Sequence, residues 1–470
     1  MSELNIDSPL FIRFSEWFFL GYFVAISVGY LTLNLISVFS LRAYLPNKVL
    51  ENIPQIYSGL EPPVSILVPA YNEQLTIVAS IQSLLQLSYP LYDVIIVNDG
   101  SKDKTMEVLK ENFGLIPYPE AYRELLKTKT VRAIYRSTQY SNLRVIDKEN
   151  GGKADALNAG INASHYPLFC SVDADSMLQR NSLQRITYPF MEDSRVIAVG
   201  GTVRVSNGCK VQDGSLLEIG LPKNMLALFQ VVEYLRAFLF GRLGWSVLDA
   251  LLIISGAFGV FRKDVVMDAG GFRTDTVGED MELVVRLHRT LRKQKKAYRM
   301  VFLPDPVSWT EVPEDFKTLK NQRIRWQRGL CESLFGNLDL LFSRNGGAAG
   351  WIAFPFMLLF ECLGPMVEVV GYILMLAFCW LDLISWPVFL VYTFATISLG
   401  MLLSLLSLLL EEMSFHIYNR PSHVIGMLFG AIVENFGYRQ LCSVWRLMGL
   451  LQWLFGKKHG WGEMKRKGSL

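Results

Sequence analysis

The sequence predicts an α/β fold: a mostly parallel sheet with flanking helices, held between membrane-seeking α-helices at both ends of the chain. Three observations predict it. Apolar, β-branched runs alternate with helical stretches from about residue 64 to 176. Each run ends in a polar cluster: PAYNE, NDGS, DADS. The long uncharged apolar runs stand only outside this region.

Composition agrees. Of 470 residues, 51% are hydrophobic and 19% charged, the profile of a membrane protein with a large water-soluble part. A net charge of +3 is too small to argue for a nucleic-acid partner. Cys170, Cys209, Cys331, Cys362, Cys379 and Cys442 are scattered without a CxxC pair, which speaks for neither a disulfide framework nor a zinc site.

In chain order, Trp17–Leu41 is a run of 25 residues without a charge, too long for a signal-peptide core. Residues 1–44 are therefore expected to form an N-terminal transmembrane helix. Residues 45–340 hold most of the charge and form a soluble domain with its own core. Within it, VSILVPAYNE (64–73) and DVIIVNDGS (93–101) read as strands around a helix over Glu73–Leu87. VRAIYR (131–136) reads as a third strand, KADALNAGINAS (153–164) as a helix, and PLFCSVDADS (167–176) as a fourth strand. Leu226–Asp249 is apolar but carries Glu233, Arg236, Arg242 and Asp249, and reads either as amphipathic helices at the membrane surface or as a buried core helix.

Residues 341–412 are expected to hold two spans. The first, between Asn345 and Leu381, is interrupted by Glu361 and Glu368, whose carboxylates should face protein or a polar path. The second, Leu383–Leu410, runs 28 residues. Residues 413–470 combine a stretch broken by Glu434, Arg439 and Arg446 with a tail carrying five Lys/Arg. The stretch is either a further span or a pair of interfacial helices. The basic tail favours a cytoplasmic end, and parity then favours an interfacial or re-entrant arrangement.

In parallel sheets ligands bind beyond the carboxyl ends of the strands, so PAYNE, NDGS and DADS should share one crevice. Asp173 and Asp175, two apart, would project the same way from an extended segment and suit a hard divalent cation. A plain surface turn explains them as well. Asp99 suits a nucleobase edge or a turn. Lys153, opening a helix after two glycines, suits phosphate or solvent. Glu279-Asp280 fits a helix start on dipole grounds alone. In NQRIRWQRG (321–329), helical spacing puts Gln322, Arg325, Trp326 and Gly329 on one face, with an aromatic ring for sugar stacking and a guanidinium for phosphate. The alternative is an interfacial helix, with Arg323 and Arg328 anchored at headgroups. Ser255, Gly256 and Ala257 either admit a sugar close to the backbone or belong to a buried strand with a bulge.

Taken together, PAYNE, VNDGS, GGKADALNAG, VDADS, GED and QRIRW resemble, in order, the motifs of family-2 glycosyltransferases with a GT-A fold. More narrowly they resemble the membrane-embedded processive polysaccharide synthases that make cellulose, chitin, hyaluronan and poly-N-acetylglucosamine. The resemblance covers about residues 60–335. It implies a multi-pass protein of the cell membrane with its catalytic domain in the cytoplasm. It implies that Pro69, Ala70, Asn72 and Glu73 lie along a UDP-sugar, that Asp99 meets uracil, and that Lys153 and Asp173 belong to the same site. Asp173 and Asp175 would hold Mg²⁺ or Mn²⁺. Asp280 matches the general base. Gln322, Arg325 and Trp326 would cover the nucleotide, and Ser255, Gly256, Glu279 and Trp326 would meet the acceptor. The implied partners are a UDP-sugar, a growing polysaccharide and the bilayer, with room for an accessory membrane subunit. Single transfer to a lipid-linked acceptor is the alternative, but QxxRW argues against it. An inert scaffold is a third reading, opposed by the presence of Asp99, Asp175, Asp280 and Trp326 together.

Overall fold

A computed structural model describes residues 8–47, 59–120, 122–212 and 214–456; Lys48 and the basic tail lie outside them. Among the described residues, twelve strands fall between the first and the last of the long apolar helices. They are β1 (Val64–Ala70), β2 (Tyr92–Asp99), β3 (Leu115–Pro117), β4 (Val131–Ser137), β5 (Leu143–Lys148), β6 (Leu168–Val172), β7 (Ser176–Leu178), β8 (Val196–Val205), β9 (Lys210–Gln212), β10 (Ser215–Glu218), β11 (Phe258–Arg262) and β12 (Arg299–Thr310). Ten of them form one sheet in the order β3-β4-β5-β2-β1-β6-β11-β8-β12-β7. The centre, β5-β2-β1-β6, is parallel. Strand β11 runs antiparallel to β6 and β8. The sheet is thus mixed but parallel where the apolar runs are longest, because β1 and β6 are buried along their whole length.

Two details differ from the sequence reading. Strand β4 is the expected third strand, but it joins the parallel part of the sheet only through an unforeseen strand, β5: it pairs antiparallel with β5, which runs parallel to β2. Arg144 hides β5 by placing a charge inside it, yet Arg144 is buried and bound to Asp93 at 2.5 Å and Glu120 at 2.9 Å. And Asp173–Asp175 is not extended. The strand ends at Val172, and a turn closed by Ser176 N–H to Asp173 O (2.9 Å) carries the acids.

Strand β1 pairs with β2 on one side and β6 on the other, so the connections diverge at that seam. The carboxyl ends of the three strands deliver Asn72 and Glu73, Asp99, and Asp173 and Asp175 to one edge of the sheet.

Among the described residues, two helices are long and apolar enough to cross a membrane: Ile12–Leu45 within the helix Ser8–Asn47, and Trp386–Ser414. A third candidate is broken: Ala349–Cys362 and Gly364–Trp380 meet at a 40° bend. Its acids face protein. Glu361 accepts from Tyr30 and, at 2.8 Å, from Arg446. Glu368 accepts from Ser443 at 2.5 Å. The break frees main-chain carbonyls, and these are closed by side chains from elsewhere. Gln327 Nε2 donates to Glu361 O (3.1 Å) and Cys362 O (2.8 Å), and Arg446 donates to Glu361 O (2.7 Å). The following segment forms two shorter helices, Pro421–Val433 and Tyr438–Leu454.

The segment after residue 224 is one helix from Met225 to Val247, with a π-turn over Arg236–Arg242. It lies between the sheet and the apolar helices, with Val231, Val232, Leu235, Leu239 and Phe240 buried. Two of its charges are matched by distant partners: Glu233 by Arg323, and Arg236 by Glu434 at 2.6 Å and Ser404 at 2.7 Å. A buried core helix is therefore the better description of the two that the sequence left open.

Candidate active site

The loops after β1 and β2 are fixed by main-chain amides and by a few side chains. Asp99, at the end of β2, is buried. Its Oδ1 accepts from Lys148 Nζ (2.6 Å) and Gly151 N–H (3.0 Å), and its Oδ2 from Gly152 N–H (2.7 Å). Lys148 is fully buried and also pairs with Asp155 at 2.5 Å. Held by a cation and two amides, Asp99 is presented as a hydrogen-bond acceptor. Asn72 takes the left-handed conformation (φ 58°), which asparagine tolerates. It accepts from Lys102 N–H at 2.8 Å and donates its own N–H to Ser101 Oγ at 3.0 Å, tying the loop after β1 to the loop after β2. Glu73 N–H donates to Thr105 Oγ1 at 2.9 Å. Pro69 and Ala70 are buried within β1 itself.

Lys153 follows directly, at the first turn of the helix Lys153–Ala163. Its ammonium lies 2.5 Å from Asp173, 3.6 Å from Glu279 and 3.3 Å from Gly256 O. Burial alone would lower its pKa, but Asp173, Glu279 and Asp280 together raise it above the ordinary lysine value. Glu279 moves the other way from a normal acid. Burial pushes it up, Lys153 pulls it down, Asp280 raises it further, and the net shift is upward.

Glu279 and Asp280 open the helix Glu279–Lys293. Asp280 Oδ2 accepts from Gly256 N–H at 2.9 Å and Oδ1 from Met281 N–H at 2.8 Å. Ser255, Gly256 and Ala257 sit in a turn ahead of β11 rather than within a strand. The absence of a side chain at Gly256 is what lets the groups meet: a Cβ there would lie 2.9 Å from Lys153 Nζ and 3.2 Å from Asp280 Oδ2.

The helix Phe316–Phe335 carries QRIRW and crosses the loop before Glu279. Gly329 and Gly278 touch main chain to main chain: a Cβ on Gly278 would come 2.7 Å from the Gly329 Cα. Gln322 is buried, and its Oε1 meets no protein donor. Arg325 is half-buried and helps draw Glu279 downward. Trp326 is 43% exposed, with the Arg323 guanidinium 4.5 Å from its ring centre. Arg323 is no headgroup anchor. It is buried and grips both oxygens of Glu233 at 2.6 and 2.9 Å. Arg328 pairs with Glu332 at 2.8 Å.

Direct contacts thus unite Lys153, Asp173, Gly256, Glu279 and Asp280. Asp99 joins them through Gly151 and Gly152, and the QRIRW helix through Gly278. Among the described residues no group of three or more His, Cys, Asp or Glu side chains comes together to hold a metal. Asp173 and Asp175 are hard oxygen donors in one turn. They suit a Mg²⁺- or Mn²⁺-type ion that takes its other ligands from water and phosphate, as such ions commonly do. The sequence reading missed two participants. Lys148 was hidden with β5, and Glu332 carried no local signal. Arg242, read only as a charge interrupting an apolar stretch, acts electrostatically on Asp280. Arg242 stacks 3.9 Å over Phe238, and its Nη1 is sealed from solvent with no protein acceptor.

Comparison with known proteins follows the same lines. Residues 168–410, just over half of the chain, match the profile for glycosyl transferase family group 2, and residues 65–267 match that for glycosyl transferase family 2. The poly-beta-1,6-N-acetyl-D-glucosamine synthases of Staphylococcus aureus (strain COL) and Staphylococcus epidermidis are each 28% identical over 272 residues, 58% of this chain and 55% of theirs. The chain therefore spans about half the length of the curated relatives it matches. A mannosyltransferase from Pyrobaculum calidifontis, solved with GDP-Man and Mn²⁺, superposes with a TM-score of 0.51 at 16% identity, over 94% of this chain and 100% of that one. That likeness is one of fold, a mixed sheet of the GT-A type with flanking helices.

Proposed function

From the premise that this chain belongs to glycosyl transferase family group 2, we propose that it is a membrane-embedded, processive, inverting enzyme. It polymerises a β-linked, N-acetylglucosamine-containing polysaccharide from a UDP-sugar and passes the product along its apolar helices. The observation that carries the reading is the single polar cluster of Lys153, Asp173, Glu279 and Asp280 beneath the QRIRW helix, which is itself bound to the broken apolar helix through Gln327. The 28% identity to poly-beta-1,6-N-acetyl-D-glucosamine synthases supports the choice of sugar. The catalytic domain faces the cytoplasm, where nucleotide sugars are made, and an accessory membrane subunit remains compatible with the exposed faces of the apolar helices.

The chemistry assigns a task to each group. Asp99 accepts from the base edge. Lys153 holds Asp173 in place and faces the diphosphate, with Arg325 approaching from the helix above. A divalent cation bound by Asp173 and Asp175 would neutralise charge growing on the leaving diphosphate. Asp280, aimed by the Gly256 and Met281 amides, takes the proton from the attacking acceptor hydroxyl. The exposed ring of Trp326 offers the acceptor sugar an apolar face. The deciding experiment gives the purified full chain, in detergent or nanodisc, UDP-N-acetylglucosamine with Mg²⁺ or Mn²⁺ and sizes the product. Long polymer is expected. A single-sugar adduct on lipid rejects processivity, and no release of UDP rejects the donor.

A further inference from the structure

One carboxylate outside the cluster joins the helix under the acceptor to the loop that aims the base. Glu332 lies on the same helix as Trp326, six residues further on, and is largely buried. Its Oε2 accepts from Thr276 Oγ1 and from Val277 N–H, both at 2.9 Å, and its Oε1 accepts from Arg328 Nε at 2.8 Å. Thr276 and Val277 immediately precede Gly278, the residue that caps the helix opening at Glu279 and Asp280. Gly278 also receives Ser333 Oγ on its carbonyl, at 3.4 Å, and packs bare against Gly329. Three neighbouring positions of one helix, Gly329, Glu332 and Ser333, therefore hold one three-residue loop. A loop without regular structure keeps its geometry only through such bonds.

We propose that Glu332 is a positioning residue for Asp280: by clamping Thr276 and Val277 it makes the base and the Trp326 platform one rigid unit, so that the acceptor hydroxyl and the carboxylate meet in a fixed geometry. The proposal rests on the reading of Asp280 as the base and Trp326 as the acceptor platform. It assigns Glu332 no contact with substrate. Its task is hydrogen-bond acceptance from the loop; its negative charge is turned towards Arg328, which is as buried as Glu332 itself, and acts more weakly on Arg273.

That distinction supplies the test. A glutamine at 332 can turn its amide oxygen to Thr276 and Val277 and keep both loop bonds, whereas alanine loses them. In the full chain, E332A is expected to lower kcat by roughly 10- to 100-fold, the cost of misplacing a reacting group by about 1 Å. UDP affinity and the KM for the sugar nucleotide should stay within about twofold, since no group around Asp99 or Asp173 moves. E332Q should stay within about threefold of the parent in kcat. Amide exchange at 276–278 should accelerate in E332A and not in E332Q. Should E332A fold poorly, T276V removes one of the two Glu332 bonds together with the Gly278 N–H bond to Thr276 Oγ1 (3.2 Å), and should lower kcat by a few-fold with the same unchanged UDP affinity. An E332A enzyme with parental kcat overturns the proposal. So does E332Q as impaired as E332A, which would mean that the charge is what matters, or a parallel loss of UDP affinity, which would mean general disruption. Failure of the underlying reading shows separately: D280N would retain turnover whatever Glu332 does.

Discussion

The two halves of the sheet hold their functional groups in different ways. In β5-β2-β1-β6 the grip comes from neighbouring strand-end loops and mainly from main-chain amides: Asp99 by Gly151 and Gly152, with Lys148 beside them, and Asn72 by the loop bearing Ser101 and Lys102. Across β11-β8-β12 the contacts span similar stretches of sequence, but they come from one packed helix and mainly from its side chains. Gly278 meets Gly329, Glu332 holds Thr276 and Val277, and Arg323 holds Glu233 beneath Trp326. In the proposed reading a nucleotide must fit the same way in every turnover, and main-chain amides suit that fixity. The acceptor side would have to align a sugar, a base and the apolar helices at once, and a helix bound both to the loop before Glu279 and to the broken apolar helix suits that task.

If this contrast is sound, damage to the two halves separates cleanly. The largest effect is expected from D280N. It should cut transfer by about 10²- to 10⁴-fold while UDP affinity, titrated calorimetrically, stays near that of the parent. Retained turnover would remove the base from the acceptor half. D175A should do the reverse, weakening UDP binding in the presence of Mn²⁺ by roughly tenfold or more and leaving metal-free UDP binding unchanged. Equal titrations with metal present would reject Asp175 as a ligand. G329V comes next. A side chain forced against the Gly278 backbone should cost about 1–3 kcal/mol of stability, read from a denaturation midpoint, and lower kcat more than UDP affinity.

The smallest effect at neutral pH concerns His288, buried behind the base helix. Its Nε2 donates to Leu251 O at 2.9 Å and its Nδ1 accepts from Tyr298 at 2.6 Å, so the ring is held neutral. Burial lowers its pKa from 6.5 to about 4. A depressed folded-state value means that this stability is whole above the unfolded pKa and is lost as pH falls towards the folded one. About 1 kcal/mol should be gone by pH 5.5. H288Q should flatten that part of the stability–pH curve; an unchanged slope would show that the ring is not the group responsible.

Distance along the chain governs what could be read from the residues in order. Strands β1 and β2 and the helices at Lys153 and Glu279 were legible because apolar periodicity and their polar ends lie within a few residues of one another. Strand β5 was not, since Arg144 looks like a loop residue until Asp93 and Glu120 are seen to bury it. Asp173 and Asp175 were legible as a pair, but their turn was not, because Asp-x-Asp is compatible with either geometry. The helical face of Gln322, Arg325, Trp326 and Gly329 was legible from spacing, yet spacing could not tell the buried Gln322 and Gly329 from the exposed Trp326. Arg323 read as an interfacial anchor because its partner stands ninety positions earlier. Arg236 misled for the same reason, its carboxylate lying at Glu434.

The helix broken at Leu363 has one more consequence. Its loosened peptide oxygens find their donors in Gln327, on the QRIRW helix, and in Arg446, near the far end of the described chain. Oil cannot substitute for either donor. Separating the two parts with a protease or a stop codon would therefore leave the apolar fragment with an unhealed wound and the polar fragment with an idle amide. Each part serves as the other's solvent, and the enzyme should resist dissection into a separate catalytic part and a separate apolar part.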